Sequence, residues 1–389
     1  MIARDAHANL LRTAAEFPAV ALTGPRQSGK TTLVRDAFAD KPYVSLEDPD
    51  VRAFADADAR GFLGRFGAGA ILDEIQRAPG LLSYLQTIID GDRRLGVWVL
   101  TGSQQFGLRE QLSQSLAGRV GLVQLWPFSS SELLCAAALK ATLPEALLLG
   151  GYPPLFDRPV RPHVFFSSYV ATYVERDVRQ ALEVRDLAAF QRFVRMCAAR
   201  TAQLLNLSAL AADCGITHNT ARAWLSVLQA SGIVVLLQPF FRNVGKRLVK
   251  TPKLYLTDSG LAAWLCGIDE PRLLEVHALR GALFESWVVA ELHKAIDHRG
   301  LNARLSFWRD SSGHEVDVIV EHGGQLTAIE VKSGQTVAGD WLGGLHKLKA
   351  LLGGELSKMA LVYGGDSSFD RQGVAVMGWR EAGLVLGGK

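Results

Sequence analysis

Three short apolar runs in the first third of the chain each end in polar residues, and helical patterns separate them. The runs cover 20–23, 70–73 and 97–103, and the first is followed by a helix that begins near Lys30. Apolar runs of this length bounded by turn residues are typical of buried strands. Strands that alternate with helices predict an α/β domain in this part of the chain.

The middle third is mostly helical in pattern, from about 131 to 200, with a break at the Gly- and Pro-rich loop 149–162. One predicted helix in this stretch carries Arg176, Asp177 and Arg179. The pattern therefore predicts a helical region between the α/β domain and the rest of the chain.

A winged-helix pattern follows this helical stretch. Ser208 is predicted to cap a short helix, 214–216 to form a tight turn, and Thr217 to cap a second helix. An apolar strand at 233–237 and a return strand near 254–256 then resemble a wing.

The last third contains two alternating strands joined by the Gly-Gly turn at 323–324. Counting outwards from that turn, Asp317 falls opposite Glu330, and Glu315 falls opposite Lys332. Facing carboxylates about 5 Å apart repel each other. We therefore expect a further interaction that offsets this repulsion.

The first apolar run leads into a phosphate-binding motif. Residues 24–31 match the pattern G-x-x-x-x-G-K-[ST], in which backbone N–H groups and a helix N-terminus surround phosphates. Lys30 is expected to reach the β and γ phosphates of ATP, and the Thr31 hydroxyl to bind Mg²⁺. The predicted nucleotide-binding residues of this loop are Gly24, Pro25, Arg26, Gln27, Ser28, Gly29, Lys30, Thr31 and Thr32.

Polar residues at the ends of the next two strands complete an ATPase pattern. Asp73 fits the carboxylate that holds Mg²⁺, and Glu74 fits the one that orients or deprotonates water. Thr101 and Ser103 end the third strand and are expected to sense the γ-phosphate. Arg119 is open to two interpretations: contact with a γ-phosphate in its own or a neighbouring subunit, or a surface salt bridge.

A divalent cation would make the facing carboxylates of the last third favourable. Mg²⁺ prefers oxygen ligands and often uses one or two carboxylates, so Asp317 and Glu330 are predicted metal ligands. Lys332 would position water or stabilise charge on a phosphate. Glu285 lies in an apolar helix and is expected to join the cluster. The alternative is a polar sheet face on which Glu315 and Lys332 form an ordinary pair.

Nucleic-acid contact is predicted from the winged-helix pattern. The first residues of the second helix would enter the major groove, and a basic stretch at the wing tip would contact phosphates. The predicted contact residues are His218, Asn219, Thr220, Arg222, Arg242, Lys246, Arg247 and Lys250, with Lys253 also in the basic stretch. The alternatives are a winged helix that serves only for packing and a solvated basic loop.

Bulk properties add limits to this picture. The chain has 389 residues, 48% hydrophobic and 21% charged, and a net charge of +3, so a nucleic-acid partner requires a local basic patch. Its four cysteines are too scattered for a zinc site. No apolar run is long enough for a bilayer and no signal peptide is recognisable, so we expect a cytoplasmic protein of two or three domains.

Nine stretches of the chain resemble one protein family. They are GPRQSGKTT, ILDEIQ, LTGSQQ, LAGR, GGYPP, YVERDVRQ, LTDSGLA, GALFESWVVAEL and AIEVKSG. The chain resembles the bacterial and archaeal ATPases that pair an AAA-type P-loop domain with a C-terminal domain called DUF4143. Glu285, Asp317, Glu330 and Lys332 look like the core of PD-(D/E)xK nucleases, although Val316 stands where a proline is common.

The resemblance implies an α/β protein with three parts. These are a P-loop AAA-type ATPase core at 1–130, a helical region with a winged helix at 131–265, and a restriction-endonuclease-like α/β domain at 266–389. One hypothesis is an ATPase whose cycle controls a Mg²⁺-dependent nuclease acting on DNA or RNA. The second is a nucleotide-controlled assembly or binding switch of a defence or toxin–antitoxin type, with a non-cleaving recognition domain. Both hypotheses are compatible with a homo-oligomer, and neither involves a membrane partner. A translocase or helicase is a third and less favoured hypothesis.

Overall fold

A computed structural model describes residues 2–103, 108–174, 186–240, 251–310 and 312–387. The chain divides into two compact units. The first comprises Met1–Pro127 together with Ala230–Gly232 and Asp297–Gly300, and the second comprises the remaining residues. Within the described residues, no helix combines the length and the apolar composition needed to cross a membrane.

In its described part, the first unit is built on a five-stranded parallel sheet in the order β2-β3-β4-β1-β5. Its strands are β1 Ala19–Gly24, β2 Tyr43–Ser45, β3 Ala70–Asp73, β4 Trp98–Ser103 and β5 Val120–Gln124. Its helices are α1 Ala6–Glu16, α2 Lys30–Ala37, α3 Pro49–Ala57, α4 Ala59–Gly64, α5 Leu81–Gly91 and α6 Leu108–Ser115. Strands β1, β3 and β4 correspond to the three apolar runs of the sequence.

Both faces of this sheet are covered, as a parallel sheet requires. Every residue of β1, β3 and β4 is buried. Ala21 and Leu72 belong to the apolar cluster on one face, whereas Leu22 and Ile71 belong to the cluster on the other. The carboxyl ends of the strands, where the polar residues stand, are therefore the part of the sheet available for chemistry.

The second unit contains the helices that begin after Pro127. They are α7 Ser130–Cys135, α8 Leu143–Leu149, α9 Pro154–Asp157, α10 Pro162–Tyr169, α11 Leu187–Ala199, α12 Leu207–Cys214, α13 His218–Ala230, α14 Ser259–Leu265, α15 Pro271–Val276, α16 Arg280–Arg299 and α17 Gly343–Leu352. A π-helical turn at Val170–Val174 follows α10. The helix predicted through Arg176, Asp177 and Arg179 lies outside the described residues.

A nine-stranded mixed sheet runs through the described part of this unit in the order β13-β14-β12-β11-β10-β9-β7-β8-β6. Its strands are β6 Gln203–Leu204, β7 Val234–Pro239, β8 Lys253–Leu256, β9 Ala303–Arg309, β10 Glu315–His322, β11 Gln325–Lys332, β12 Leu356–Tyr363, β13 Phe369–Arg371 and β14 Val374–Gly378. Strands β9, β10 and β11 form an antiparallel meander, and β12 lies parallel to β11.

The middle and C-terminal segments share this sheet and one apolar core. Strand β7 pairs with β8 on one side and lies parallel to β9 on the other, with Gln238 opposite Ser306. One cluster of buried side chains extends from Leu143 to Val385 along the chain. The boundary expected at 265/266 therefore falls inside a single compact unit, and the three-part division remains a proposal.

The predicted hairpin is confirmed in its register. His322 lies opposite Gln325 and Val318 opposite Ile329. Gly323 and Gly324 both have positive φ, 59° and 77°, as a two-residue hairpin turn requires. One predicted cap is wrong: Asn206, not Ser208, caps α12, because the Asn206 side chain accepts a hydrogen bond from the Ala209 N–H.

Asp258 ties the loop 150–151 to α14 in the core of the second unit. Its carboxylate accepts hydrogen bonds of 2.8 Å from the N–H groups of Gly151 and Leu261, and the second of these caps α14. Gly150 has φ 68°, and a Cβ there would lie 2.3 Å from the carboxylate, so only glycine allows this approach.

We expect Asp258→Ala to lower the free energy of unfolding by about 3 kcal/mol, because it removes a cap and leaves two buried N–H groups without an acceptor. Urea denaturation followed by tryptophan fluorescence measures the change. Asp269→Ala, at an exposed position, is the control and should shift the midpoint little. Equal shifts for the two variants would contradict this role of Asp258.

Candidate functional site

The phosphate-binding loop connects β1 to α2 at the carboxyl edge of the first sheet. Gly29 has φ 93° and immediately precedes Lys30, the first residue of α2. Lys30 is buried, and its Nζ donates to the carbonyl oxygens of Gly24 at 3.1 Å and Pro25 at 2.8 Å. The loop thus holds its lysine against its own backbone, from which the ammonium must turn to meet a phosphate.

The other predicted loop residues differ in burial and backbone conformation. Ser28 is fully buried and Thr32 is exposed in the first turn of α2. Gln27 has φ 59°, a left-handed conformation that helps the backbone curl. Arg4 donates to the carbonyl oxygens of Ser28 at 2.8 Å and Trp126 at 2.6 Å, which ties the loop to the strand region after β5.

Three hydroxyl groups donate hydrogen bonds to Asp73 at the end of β3. Its carboxylate accepts hydrogen bonds from Thr31 Oγ1 at 2.9 Å, from Tyr43 Oη at 2.6 Å and from Thr101 Oγ1. Strand β4 lies between β1 and β3, which brings Thr101 next to Asp73. The sequence prediction missed Tyr43, since its role depends on β2 pairing with β3. Burial and the bond to Asp73 raise the pKa of Tyr43 above its ordinary value.

Glu74 leaves the strand in an unusual backbone conformation. It has φ 57° and ψ 48°, and its N–H donates to Thr101 Oγ1 at 3.3 Å. The turn Ile75–Arg77 brings the Gln76 amide back to donate to Glu74 Oε2 and, at 3.1 Å, to Ser103 Oγ. Gln76 was also missed from the sequence, because only this turn reveals that it contacts both the predicted catalytic Glu74 and the predicted γ-phosphate sensor Ser103.

Arg119 lies at the amino end of the strands, whereas the phosphate-binding loop lies at their carboxyl end. It directly precedes β5, and its carbonyl oxygen accepts from the N–H of Ala19 at the start of β1, whereas the phosphate-binding loop follows the end of β1. Its guanidinium binds Asp90 through two hydrogen bonds of 2.7 and 2.9 Å. Contact between Arg119 and a γ-phosphate in its own subunit is therefore excluded, because the length of the parallel strands lies between them.

In the second unit, the four predicted nuclease residues lie together at the start of α16 and on β10 and β11. Asp317 Oδ2 accepts from the Val331 N–H at 2.8 Å. Lys332 donates to Glu330 Oε1 at 2.5 Å, while Glu330 Oε2 is buried without a partner among the described residues. Glu285 accepts from Tyr255 Oη at 2.6 Å.

Lys253 occupies the middle of these acids. Its Nζ lies 2.9 Å from Glu285 Oε1 and 3.7 Å from Asp317 Oδ1, and it also pairs with Glu315. Lys253 is only 3% exposed. The prediction that Lys253 belongs to a phosphate-binding basic surface is therefore wrong, because β8 delivers its side chain into the core of the cluster.

The alternative pairing of Glu315 with Lys332 is also wrong. Glu315 pairs with Lys253 and, at 3.3 Å, with Arg309 of the neighbouring strand, whereas Lys332 pairs with Glu330 on its own strand. The observed pairing of β10 with β11 ends at Val318 and Ile329, short of Glu315 and Lys332, and the buried ammonium of Lys253 is the partner of Glu315.

The electrostatics of this cluster follow from burial. Burial and repulsion from Asp317 raise the pKa values of both Glu285 and Glu330 above their ordinary values. Burial alone would lower the pKa of Lys253, but the carboxylates of Glu285, Asp317 and Glu315 raise it above its ordinary value. The lysine therefore carries a full positive charge among its acidic partners.

The two predicted metal positions differ in their fit. Thr31 and Asp73 point oxygen atoms at each other beside the phosphate-binding loop, which suits the Mg²⁺ of an ATP complex. The C-terminal acids do not fit a divalent ion as they stand, because Lys253 lies between Glu285 and Asp317. Within the described chain, Glu285, Asp317 and Glu330 also do not form a group whose ligand oxygens all lie within 4.8 Å of one another.

The first turn of α13 presents polar side chains to solvent. His218, Asn219 and Arg222 are exposed, whereas Thr220 is half-buried. The N–H of Thr220 donates to Thr217 Oγ1 at 3.1 Å, as predicted for the cap of this helix. The basic residues Arg242, Lys246, Arg247 and Lys250 lie outside the described residues.

Comparison with protein families divides the chain into three matched segments. An AAA domain matches residues 16–134, and the domain of unknown function DUF4143 matches residues 280–381. A second domain of unknown function, DUF8612, matches residues 140–272 between them. The AAA match covers the phosphate-binding loop, Asp73 and Glu74, and the DUF4143 match covers Glu285, Asp317, Glu330 and Lys332.

Two of the similar solved structures are distant from this chain in sequence. The Walker-type ATPase PABY2304 of Pyrococcus abyssi is 16% identical, with a TM-score of 0.45 over 68% of this chain and 96% of its own. DnaA of Aquifex aeolicus is 14% identical, with a TM-score of 0.30 over 58% of this chain and 85% of its own. At these TM-scores the likenesses add nothing to the family assignment.

Two curated relatives match along nearly the whole chain. The uncharacterised proteins Rv2008c of Mycobacterium tuberculosis and Mb2031c of Mycobacterium bovis are each 33% identical over 370 residues, which is 94% of this chain and 81% of theirs. With this identity and these domain matches, the chain belongs to the family of P-loop ATPases that join an AAA domain to a C-terminal DUF4143 domain.

Proposed function

We propose that the protein is an ATP-hydrolysing switch whose nucleotide state controls the binding of nucleic acid by its second unit. One observation carries the hydrolytic part of this proposal: Asp73 and Glu74 end a strand beside the phosphate-binding loop, with Thr31 already bonded to Asp73 at 2.9 Å. Oxygen ligands for Mg²⁺ and a second carboxylate for water are what phosphoryl transfer to water requires.

ATP binding begins with the backbone of the loop 24–29 and the N-terminus of α2. Their N–H groups surround the phosphates, and the helix dipole favours the negative charge. Lys30 exchanges its contacts with the Gly24 and Pro25 carbonyls for the β and γ phosphates. Thr31 and Asp73 would hold Mg²⁺, which would neutralise charge on the phosphate oxygens.

Glu74 is the general base in this proposal. The hydrogen bond from the Glu74 N–H to Thr101 Oγ1 fixes the backbone of Glu74. The hydrogen bond from the Gln76 amide fixes the Glu74 carboxylate. With Oε2 bonded to Gln76, Oε1 remains to accept a proton from water that attacks the γ-phosphate. Ser103, which Gln76 also contacts, lies beside this position and is suited to the γ-phosphate itself.

Nucleic acid is the partner that best fits the exposed first turn of α13. His218, Asn219 and Arg222 offer donors to base edges and phosphates from one helix end, which is the geometry by which such helices meet the major groove. The order α11, β6, α12, α13, β7, β8 supports a winged-helix arrangement. The predicted basic residues at 242–250 would add phosphate contacts.

A Mg²⁺-dependent nuclease is the second candidate. It is favoured by the proximity of Glu285, Asp317, Glu330 and Lys332, by the unpartnered Glu330 Oε2, and by the helix, meander, helix and parallel strand from α16 to β12. It requires Lys253 to leave the acids first. Arg119 is retained only for a neighbouring subunit in a homo-oligomer.

Glu74→Gln is expected to lower the turnover number for ATP by about 100-fold or more, while the affinity for ATP changes little, because the amide cannot take a proton. Phosphate release and binding of a fluorescent ATP analogue measure the two effects. Glu16→Gln, at an exposed position at the end of α1, is the matched control. A variant that hydrolyses ATP at the normal rate would contradict the assignment of Glu74.

Arg222→Ala is expected to raise the Kd for duplex DNA roughly tenfold and to reduce the slope of log K against log salt by about 1, because one phosphate or base contact is lost. Fluorescence anisotropy across a salt series measures both values. Arg195→Ala removes the same charge from an exposed position on α11 and should leave both values unchanged. Equal losses of DNA affinity for the two variants would show that Arg222 contributes only to the overall positive charge and makes no specific contact.

A further inference from the structure

The ammonium of Lys253 lies where a cation would contact three of the four acids of the C-terminal cluster. Its ammonium pairs with Glu285, Glu315 and Asp317, and lies 5.6 Å from the centre of the Phe307 ring. It is almost fully buried, so water does not share its neutralisation. A lysine in such a place is stable only if its charge is paired.

The charges of the cluster are close to balance without a metal. Its four carboxylates belong to Glu285, Glu315, Asp317 and Glu330, and its cations to Lys253, Lys332 and Arg309. A divalent ion between Glu285 and Asp317 would stand within a few ångströms of the Lys253 ammonium. Repulsion between close like charges at a buried site is strong.

We propose that Lys253 is the resident cation of this cluster, so that the second unit folds and binds its ligands without a divalent metal at Asp317 and Glu330. The proposal deepens the proposed switch function, since it makes this cluster a fixed part of the fold. It also identifies Lys253 as a side chain whose removal would open a metal site.

The test is Mn²⁺ binding by the full-length protein without nucleotide, measured by isothermal titration calorimetry. Wild type is expected to have no Mn²⁺ site that depends on Asp317. Lys253→Met, which keeps the length of the side chain, is expected to gain one site, and Lys253→Met/Asp317→Asn to lose it. Lys253→Arg keeps the charge and should gain none.

Thermal melting gives a second readout. Lys253→Met is expected to lower the melting temperature by roughly 10 °C, because the carboxylates of Glu285, Glu315 and Asp317 lose the cation that they share, and Mn²⁺ should restore part of this loss. Mn²⁺ should not change the melting temperature of the wild type. An Asp317-dependent Mn²⁺ site in the wild type would overturn the proposal, and this comparison with Asp317→Asn holds even if Lys253→Met fails to fold. ATP hydrolysis, measured separately, distinguishes failure of this proposal from failure of the switch.

A second inference concerns Gln76, which donates to Glu74 Oε2 and to Ser103 Oγ. Its amide oxygen is buried without a partner among the described residues, so these two N–H contacts alone set its orientation. We infer that Gln76 is a positioning residue that holds the Glu74 carboxylate for attack by water. This inference depends on the proposed role of Glu74.

A double-mutant cycle tests it. Gln76→Ala is expected to lower the turnover number for ATP about tenfold with the affinity for a non-hydrolysable ATP analogue unchanged, because a misplaced general base costs rate and not binding. In the Glu74→Gln background the same change should cause no further loss. Gln86→Ala, on α5, is the matched control.

Equal losses in both backgrounds, or weaker binding of the analogue, would overturn the role of Gln76. Normal hydrolysis by Glu74→Gln alone would instead overturn the proposed general base.

Discussion

Buried carboxylates need donors, and this requirement shapes both units of the protein. A carboxylate removed from water costs several kcal/mol unless hydrogen bonds or a positive charge replace its solvation. Asp73, Asp258 and Asp317 are all buried, and each is satisfied in a different way. Hydroxyl groups surround the first, backbone N–H groups the second, and a lysine with a backbone N–H the third. The kind of donor decides what each site can do.

In the first unit the donors can be exchanged. The hydroxyl of Thr31 and the ammonium of Lys30 are bonded to groups that a nucleotide and its metal ion would replace. The strand order makes this possible, because β4 lies between β1 and β3 and brings Thr101 and Ser103 to the same edge. The site is therefore satisfied without ligand and still able to receive one, as an ATPase that cycles between states requires.

In the second unit the donor is built in. Lys253 belongs to β8, which pairs with β7, and β7 continues the sheet to β9 and the acid-bearing strands. The cluster thus joins the middle segment to the C-terminal segment by charge as well as by the shared apolar core. A C-terminal fragment cut at 265/266 would lose this cation and leave Glu285 and Asp317 without a positive charge between them.

Local spacing determined much of this protein from the sequence alone. The strand, loop and helix of the ATP site, the two acids at the end of β3, and the register of the β10–β11 hairpin all depend on neighbouring residues, so their pattern is visible in the chain. Tertiary structure alone decided which side chains meet across strands that are distant in sequence. Tyr43 reaches Asp73 through the pairing of β2 with β3, and Lys253 reaches Asp317 through a sheet that joins two segments. Arg119 is separated from the phosphates because it lies at the amino end of the parallel strands and the phosphate-binding loop lies at their carboxyl end. Such partners cannot be read from the sequence, because the sheet order that brings them together follows from packing of the whole chain.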